Sequence, residues 1–273
     1  MFGYSKQLIP LITILTALLP SHGLAQSDSA LHTAFIREVG ATLIAQSPET
    51  TNLTRSTWGP TLYRTSVDAA VLVEVYETKE HGEPKFLGHG SGVVISATGS
   101  VLTNWHVTWP HEHVVVVFYP GKGKSYKEVT ADQIWLARVI RVDKQKDLAL
   151  LQIERSLSGR GIPSGMKTIS LEDPDRMEVG QDVFSIGHPE GLHWTYTEGI
   201  ISQIRPHYVW EASGTKHEAT IIQTQTVVSY GSSGGPLINR DGRLVGIVES
   251  MSERPGLNIA ISVQDLNDFL NKR

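Results

Sequence analysis

The period of the apolar positions changes along the chain. Residues 8–19 form an uncharged, mostly apolar run. At Leu31, Phe35, Val39 and Leu43 the apolar side chains recur every four positions, which lines one face of a helix over residues 30–46. Ser29 is placed to cap this helix and Pro48 to stop it. Residues 47–65 carry Ser, Thr, Asn and Pro and read as a linker. From Val67 the pattern becomes one of short β-type runs, at residues 71–76, 92–95, 113–119, 139–142 and 148–153. A second set follows at 183–187, 199–204, 220–225, 244–248 and 257–261. Short runs bounded by glycine or proline predict strands, and many of them in succession predict a sandwich or a barrel. Residues 154–174 are poor in strand character and join two halves. The chain ends on a predicted helix over 263–271, where Ser262 and Asp265 resemble a capping box and Val263, Leu266 and Leu270 supply an apolar stripe.

The first apolar run has the makings of a secretory signal over residues 1–25. Lys6 supplies a positive n-region, and Gly23 and Ala25 supply small residues for a cut after Ala25. The other reading is a transmembrane anchor. A run this short falls well under the roughly 30 Å of hydrocarbon that a helix rising about 1.5 Å per residue must cross. The expectation is an exported chain, periplasmic or extracellular, with no membrane association once the signal is removed.

Composition then narrows the chemistry. The chain has no cysteine, so disulfides, thiol catalysis and zinc–thiolate sites are excluded. Its formal net charge is −4 and no long Lys/Arg run occurs, so nothing points to nucleic acid or an anionic membrane. No cofactor is expected.

Three places carry candidate chemistry. In Tyr230-Gly231-Ser232-Ser233-Gly234-Gly235-Pro236 a serine sits among glycines, which permit a tight turn and close backbone approach. Amides on such a turn converge on one point, as an oxyanion hole requires. Serine is a weak nucleophile and needs a histidine base held by a carboxylate. Leu102-Thr103-Asn104-Trp105-His106 places a histidine after a strand-like run. Lys146-Asp147-Leu148-Ala149-Leu150-Leu151 places an aspartate before a buried-looking one. Each alone is weak; together, in the order His, Asp, Ser, they are specific.

These residues resemble a known family. Gly90-Ser91-Gly92-Val93-Val94-Ile95 with Leu102-Thr103-Asn104 and His106-Val107 is similar to the first-barrel signature of the HtrA (Deg) branch of trypsin-like proteases. Asp147-Leu148-Ala149 resembles its acid motif, Ile186-Gly187-His188-Pro189 its Gly-Asn-Pro segment, and Gly246-Ile247 with Ile259-Ala260-Ile261 its last strands. The resemblance covers about residues 67–271. It implies an all-β fold of two six-stranded barrels, chymotrypsin/trypsin-like, with a short N-terminal helix and a C-terminal helix. The protease domain would run over 66–273, with barrels at about 66–153 and 175–262. It further implies Ser233 as nucleophile, His106 as base and acid, Asp147 as the orienting carboxylate, and Gly231 and Ser233 N–H groups as the oxyanion hole. Protein or peptide substrates, unfolded ones included, and a homotrimer are implied too. Some features depart from the family. Ser232 stands for Asn, Gln225 for Asp and Ser229-Tyr230 for Asn-Pro, and Trp105 is bulky beside the base. The chain stops at Arg273, so substrate capture by a PDZ domain is not expected.

In that fold the specificity pocket is built from the segment just before the nucleophile and from a later strand. These are Val227, Val228 and Ser229, then Val248, Glu249 and Ser250. An apolar floor offers no partner to a Lys or Arg head, whose unpaired burial is costly. The expected preference at P1 is for small or medium apolar residues, unless Glu249 turns inward and accepts basic ones.

Competing readings are weaker. Gly231-x-Ser233-x-Gly235 fits the nucleophile elbow of α/β-hydrolase esterases, but those need a histidine after the serine and none follows. Ser164-Gly165-Met166-Lys167 matches Ser-x-x-Lys without its companion motifs. His111, His113, His188, His193, His207 and His217 form no metal-ligand motif and read as solvated loop residues, as does His89. The rival of another class is a protease-like fold used for binding or assembly without activity.

Overall fold

Strand β1, Ala70–Glu77, is buried along almost its whole length because both of its faces are covered. Val71, Val73 and Val75 point into a core shared with Val93, Val101, Leu102, Val114 and Leu151. Ala70 and Leu72 point the other way, into a cluster with Val67, Val117, Ile186 and Trp194. Fully burying a Val, Leu or Ile contributes about 1.5–3 kcal/mol, so both faces fix this strand.

The computed structural model describes residues 58–77, 84–162, 165–212, 214–249 and 257–272. All fall in one unit, Ser56–Arg273. The expected signal at 1–25 and helix at 30–46 lie outside the described residues.

Six strands close the first barrel in the order β1-β2-β3-β6-β5-β4. They are β1, β2 (Lys85–Val94), β3 (Ser100–Thr103), β4 (His113–Val117), β5 (Ile134–Asp143) and β6 (Leu148–Ser156). The second closes as β10-β11-β12-β9-β8-β7. Its strands are β7 (Asp182–Gly187), β8 (Thr195–Ala212), β9 (Thr215–Thr224), β10 (Pro236–Asn239), β11 (Leu244–Glu249) and β12 (Asn258–Ser262). All pairings between these strands are antiparallel. The two-barrel, all-β expectation holds. The predicted runs omit β3 and β10 and shorten β2, β5, β8 and β9; the β8–β9 hairpin runs out to the pair Ala212 and Thr215. Beyond Arg205 the β8 positions are largely exposed, so no apolar alternation announces them.

The barrels meet through the outer face of β1. Trp194 of the second barrel is buried there, and its Nε1 donates to Ala70 O at 3.1 Å. Tyr63, Tyr119 and Tyr196 ring the contact edge to face.

The segment expected as linker corrects the sequence reading. Within it, Trp58–Ser66 forms a helix, α1, that belongs to the barrel unit. Pro60 lies in the first turn, where its missing N–H has no intrahelical acceptor to lose. Leu62 is buried in the core, and the Arg240 guanidinium lies 3.3 Å from the centre of the Trp58 ring.

The last helix, α3 (Val263–Asn271), starts as expected at Ser262, whose Oγ accepts from Gln264 N. The second half of the capping box does not form. The Asp265 carboxylate turns instead to Thr220 N and to Lys146 Nζ, next to Asp147. Arg141 holds the far end of α3 through the carbonyls of Phe269 and Leu270.

Candidate active site

Thr103 ends β3, and a single helical turn, α2 (Trp105–Thr108), follows. This turn is clamped onto Asp147. Asp147 O accepts from Trp105 N at 3.1 Å and from Asn104 Nδ2 at 3.0 Å. Asp147 Oδ1 accepts from His106 N at 2.9 Å, and Oδ2 lies 2.7 Å from His106 Nδ1. An ionised carboxylate only accepts, so Nδ1 is the donor in this contact. Asp147 has a left-handed backbone, φ 54°, at the mouth of β6. The turn behind it is tied by Asp143 Oδ1 to Lys146 N, and by Lys146 to α3. Trp105 packs on Trp109 and His217, with the Lys144 ammonium 5.5 Å over its ring.

Asp147 is fully buried. Burial pushes its carboxyl up, but the His106 side chain, Glu249 and the His106 N–H together outweigh this and hold it below the ordinary range. Asp147 is therefore the carboxylate partner, ionised over the ordinary pH range.

The serine turn comes from the second barrel and is held by the first. Ser91 of β2 is the hub. Its N–H donates to Ser233 O at 2.7 Å, its Oγ donates to Gly231 O at 2.8 Å, and the same Oγ accepts from His188 N at 3.2 Å. Thr103 Oγ1 braces Ser91 O at 2.7 Å. Gly231 and Gly234 have φ of 93° and 86°. A Cβ on Gly234 would overlap Ser91 O and Thr103 Oγ1, and one on Gly231 would overlap His89 Nε2 and His188 O. Gly234 N donates to Val248 O at 2.9 Å. Gly90 lies between the turn and α2, since a Cβ there would sit 3.1 Å from Ser233 O and 2.7 Å from Val107. The residues holding Ser233 thus lie against those holding His106.

The expected pocket residues separate. Val227 is 69% exposed, Val228 packs at the edge of the second-barrel core, and the Ser229 hydroxyl donates to Glu190. Val248 is a correction. It is fully buried among Val183, Ile201, Ile222 and Leu237, so its side chain is core and walls no pocket. Glu249 is another. It does turn inward, but towards the His–Asp pair, with Oε2 3.6 Å from His106 Nδ1. Burial, and then repulsion from Asp147, raise its carboxyl well above the ordinary range. Ser250 and Ser164 lie outside the described residues.

His106, Asp147 and Glu249 bring a ring nitrogen and two carboxylates within 4.8 Å, a spacing also seen in metal sites. Here the Nδ1 to Oδ2 contact of 2.7 Å is a hydrogen bond, which a cation would have to break. Three further histidines correct the reading as solvated loops. His89 lies in β2 with Nε2 3.1 Å from His188 O, and His188 and His217 are buried. Burial, then the neighbouring His193, drive the His188 imidazole well below the ordinary range. Glu190 N donates to Tyr230 O at 2.7 Å, so the 188–191 loop carries the serine turn from below. Only the unusual His-Pro-Glu-Gly sequence hinted at this support.

The family pattern of the trypsin-like peptidase domain matches residues 90–247. Serine protease HTRA2, mitochondrial, of Drosophila pseudoobscura pseudoobscura is 30% identical over 209 residues, 75% of this chain and 44% of that protein. A probable periplasmic serine protease do/HhoA-like of Haemophilus influenzae is 36% identical over 184 residues, 66% of this chain and 35% of that protein. Among solved structures, an HtrA-type protease with a tripeptide is similar at a TM-score of 0.60 and 25% identity, covering 78% of this chain and 62% of that one. The chain spans less than half the length of these curated relatives.

Proposed function

The chain belongs to the trypsin-like peptidases of the HtrA type, and from that membership we propose that it is a serine endopeptidase working through an acyl-enzyme. Ser233 attacks the scissile carbonyl. His106 takes its proton at Nε2 and returns it to the leaving amine, while Asp147 fixes the ring and stabilises the imidazolium. The Gly231 and Ser233 N–H groups receive the oxyanion. The observation that carries this reading is the 2.7 Å bond between His106 and Asp147, set beside a glycine turn that bears a serine. The buried Asp147 bonded to an imidazole favours this reading over a binding module without activity.

Substrates are proteins or peptides, unfolded ones included; the HtrA-type neighbour holds a tripeptide. At P1 the enzyme accepts small or medium apolar residues. The exposed Val227 and the half-buried Val228 support this, and Glu249 is spent on the His–Asp pair. Export follows from residues 1–25, to the periplasm or the medium, and one relative is periplasmic by name.

Labelling by a fluorophosphonate, with hydrolysis of unfolded casein alongside, tests the reading. Both are expected in the native chain and absent in Ser233→Ala and His106→Ala. A well-folded native chain that neither labels nor cleaves would overturn it. Peptide-library profiling tests P1, and a dominant Arg or Lys preference would refute the apolar pocket.

A further inference from the structure

Glu249 ends β11, a strand whose every residue is buried. Its ladder partner on β12 is Ile259, and the titratable groups facing it are His106 on α2 and Asp147 ahead of β6. Two carboxylates and a neutral imidazole there would carry two negative charges away from water. Like charges this close do not both ionise, so one carboxyl keeps its proton. The hydrogen bonds decide which. Asp147 receives two N–H donors from His106, at 2.9 and 2.7 Å. Glu249 receives no N–H donor from a described group; it lies 3.6 Å from His106 Nδ1 and against the Asp147 carboxyl. The proton therefore belongs to Glu249.

Resting on the proposed serine-peptidase mechanism, we propose that Glu249 is a positioning residue of that site, held as a neutral carboxylic acid that donates its O–H to Asp147. The two carboxyls lie within 4.8 Å of each other, and their side-chain hydrogen bond lowers Asp147 and raises Glu249. Asp147 then has three donors, two from His106 and one from Glu249, which pin its plane and so the imidazole. Glu249's neutrality matters as much as its bond. A second ionised carboxylate beside Nδ1 would hold the imidazolium too tightly and slow proton delivery to the leaving amine. Burial and the charge of Asp147 push the Glu249 carboxyl up, in the required direction.

The first test needs no hydrolysis. Carbon-13 carboxyl NMR of the full Ser233→Ala chain, labelled at glutamate, should show one carboxyl still protonated at neutral pH while the others titrate normally. That outlier should vanish in Glu249→Gln. The absence of any outlier would overturn the proposal, whether or not the native chain cleaves protein. The second test is kinetic. Glu249→Ala should lose on the order of 10²-fold in kcat with little change in KM, as for a misaligned catalytic group. Glu249→Gln keeps a neutral donor and should recover most of that loss. It should also remove the alkaline fall in kcat that ionisation of Glu249 produces. A Gln variant as impaired as Ala at neutral pH would show that the charge, not the proton, is needed, and would sink the idea. If no chain cleaves protein but the outlier is present, the peptidase reading fails and the shared proton stands.

Discussion

Ser91 N donates to Ser233 O at 2.7 Å, a backbone bond that crosses from the first barrel to the second. It fastens the serine turn to β2, the strand that also backs the residue following His106. Ser233 and His106 come from different barrels, so their register depends on such ties. The Ser91 side chain adds two more, to Gly231 O and from His188 N.

Ser91→Ala should therefore hurt both stability and rate. Leaving a buried carbonyl and a buried N–H unpaired costs about 1–3 kcal/mol. Urea unfolding will show this as a lower midpoint at unchanged slope. Fluorophosphonate labelling should slow on the order of tenfold to a hundredfold, because the Gly231 peptide loses its brace. An unchanged labelling rate would show that Ser91 only packs.

Asp147→Asn tests the tautomer. The amide donates where the carboxylate accepted, so the imidazole flips its proton to Nε2 and cannot act as base. The loss in kcat should be on the order of 10⁴-fold, with the fold retained. Nitrogen-15 NMR of His106 would report the tautomer directly. A loss under tenfold would remove Asp147 from the mechanism.

His188 predicts acid sensitivity. Its imidazole is buried neutral, with its pKa driven well below the ordinary 6.5 by burial. Between that lowered value and the unfolded one, the unfolded chain binds the extra proton. The stabilising contribution is thus fully present above pH 6.5 and falls as pH drops, by up to about 1.4 kcal/mol per pH unit. His193, shifted the same way, adds to it. Glu249, shifted up, contributes with the opposite slope as pH rises above the ordinary glutamate range. His188→Asn keeps an acceptor for Trp194 N, now made by His188 Nδ1 at 3.3 Å. It should flatten the stability profile between pH 5 and about 6.5, read by urea unfolding at each pH. An identical profile in the variant would refute the role.

Leu62→Ala tests whether α1 belongs with the barrels. Truncating a buried leucine should cost about 2–5 kcal/mol, read by urea unfolding. A change under about 0.5 kcal/mol, the range of surface substitutions, would return this helix to the status of a linker.

What was legible in the sequence was local. Runs of β-type residues between glycines marked most strands, because turn chemistry and period are properties of neighbouring residues. The serine turn, the histidine after β3 and the aspartate before β6 could be named for the same reason. The helix Trp58–Ser66 could not, because its anchors, Arg240 and the barrel core, are remote in the chain. Nor could the outer half of the β8–β9 hairpin, which is exposed and shows no alternation.

The direction of Glu249 was the hardest to read. Along β11 every position is buried, so alternation disappears and with it the only sequence signal for which way a side chain faces. The sequence by itself determined which chemical groups are present and on which kind of element each is carried. Tertiary structure alone decided which of them meet: that Ser91 ties the serine turn, that Val248 is core, and that Glu249 faces Asp147 and His106. The physical reason is that a side chain's burial and charge state are set by what packs against it, and those partners lie far away along the chain.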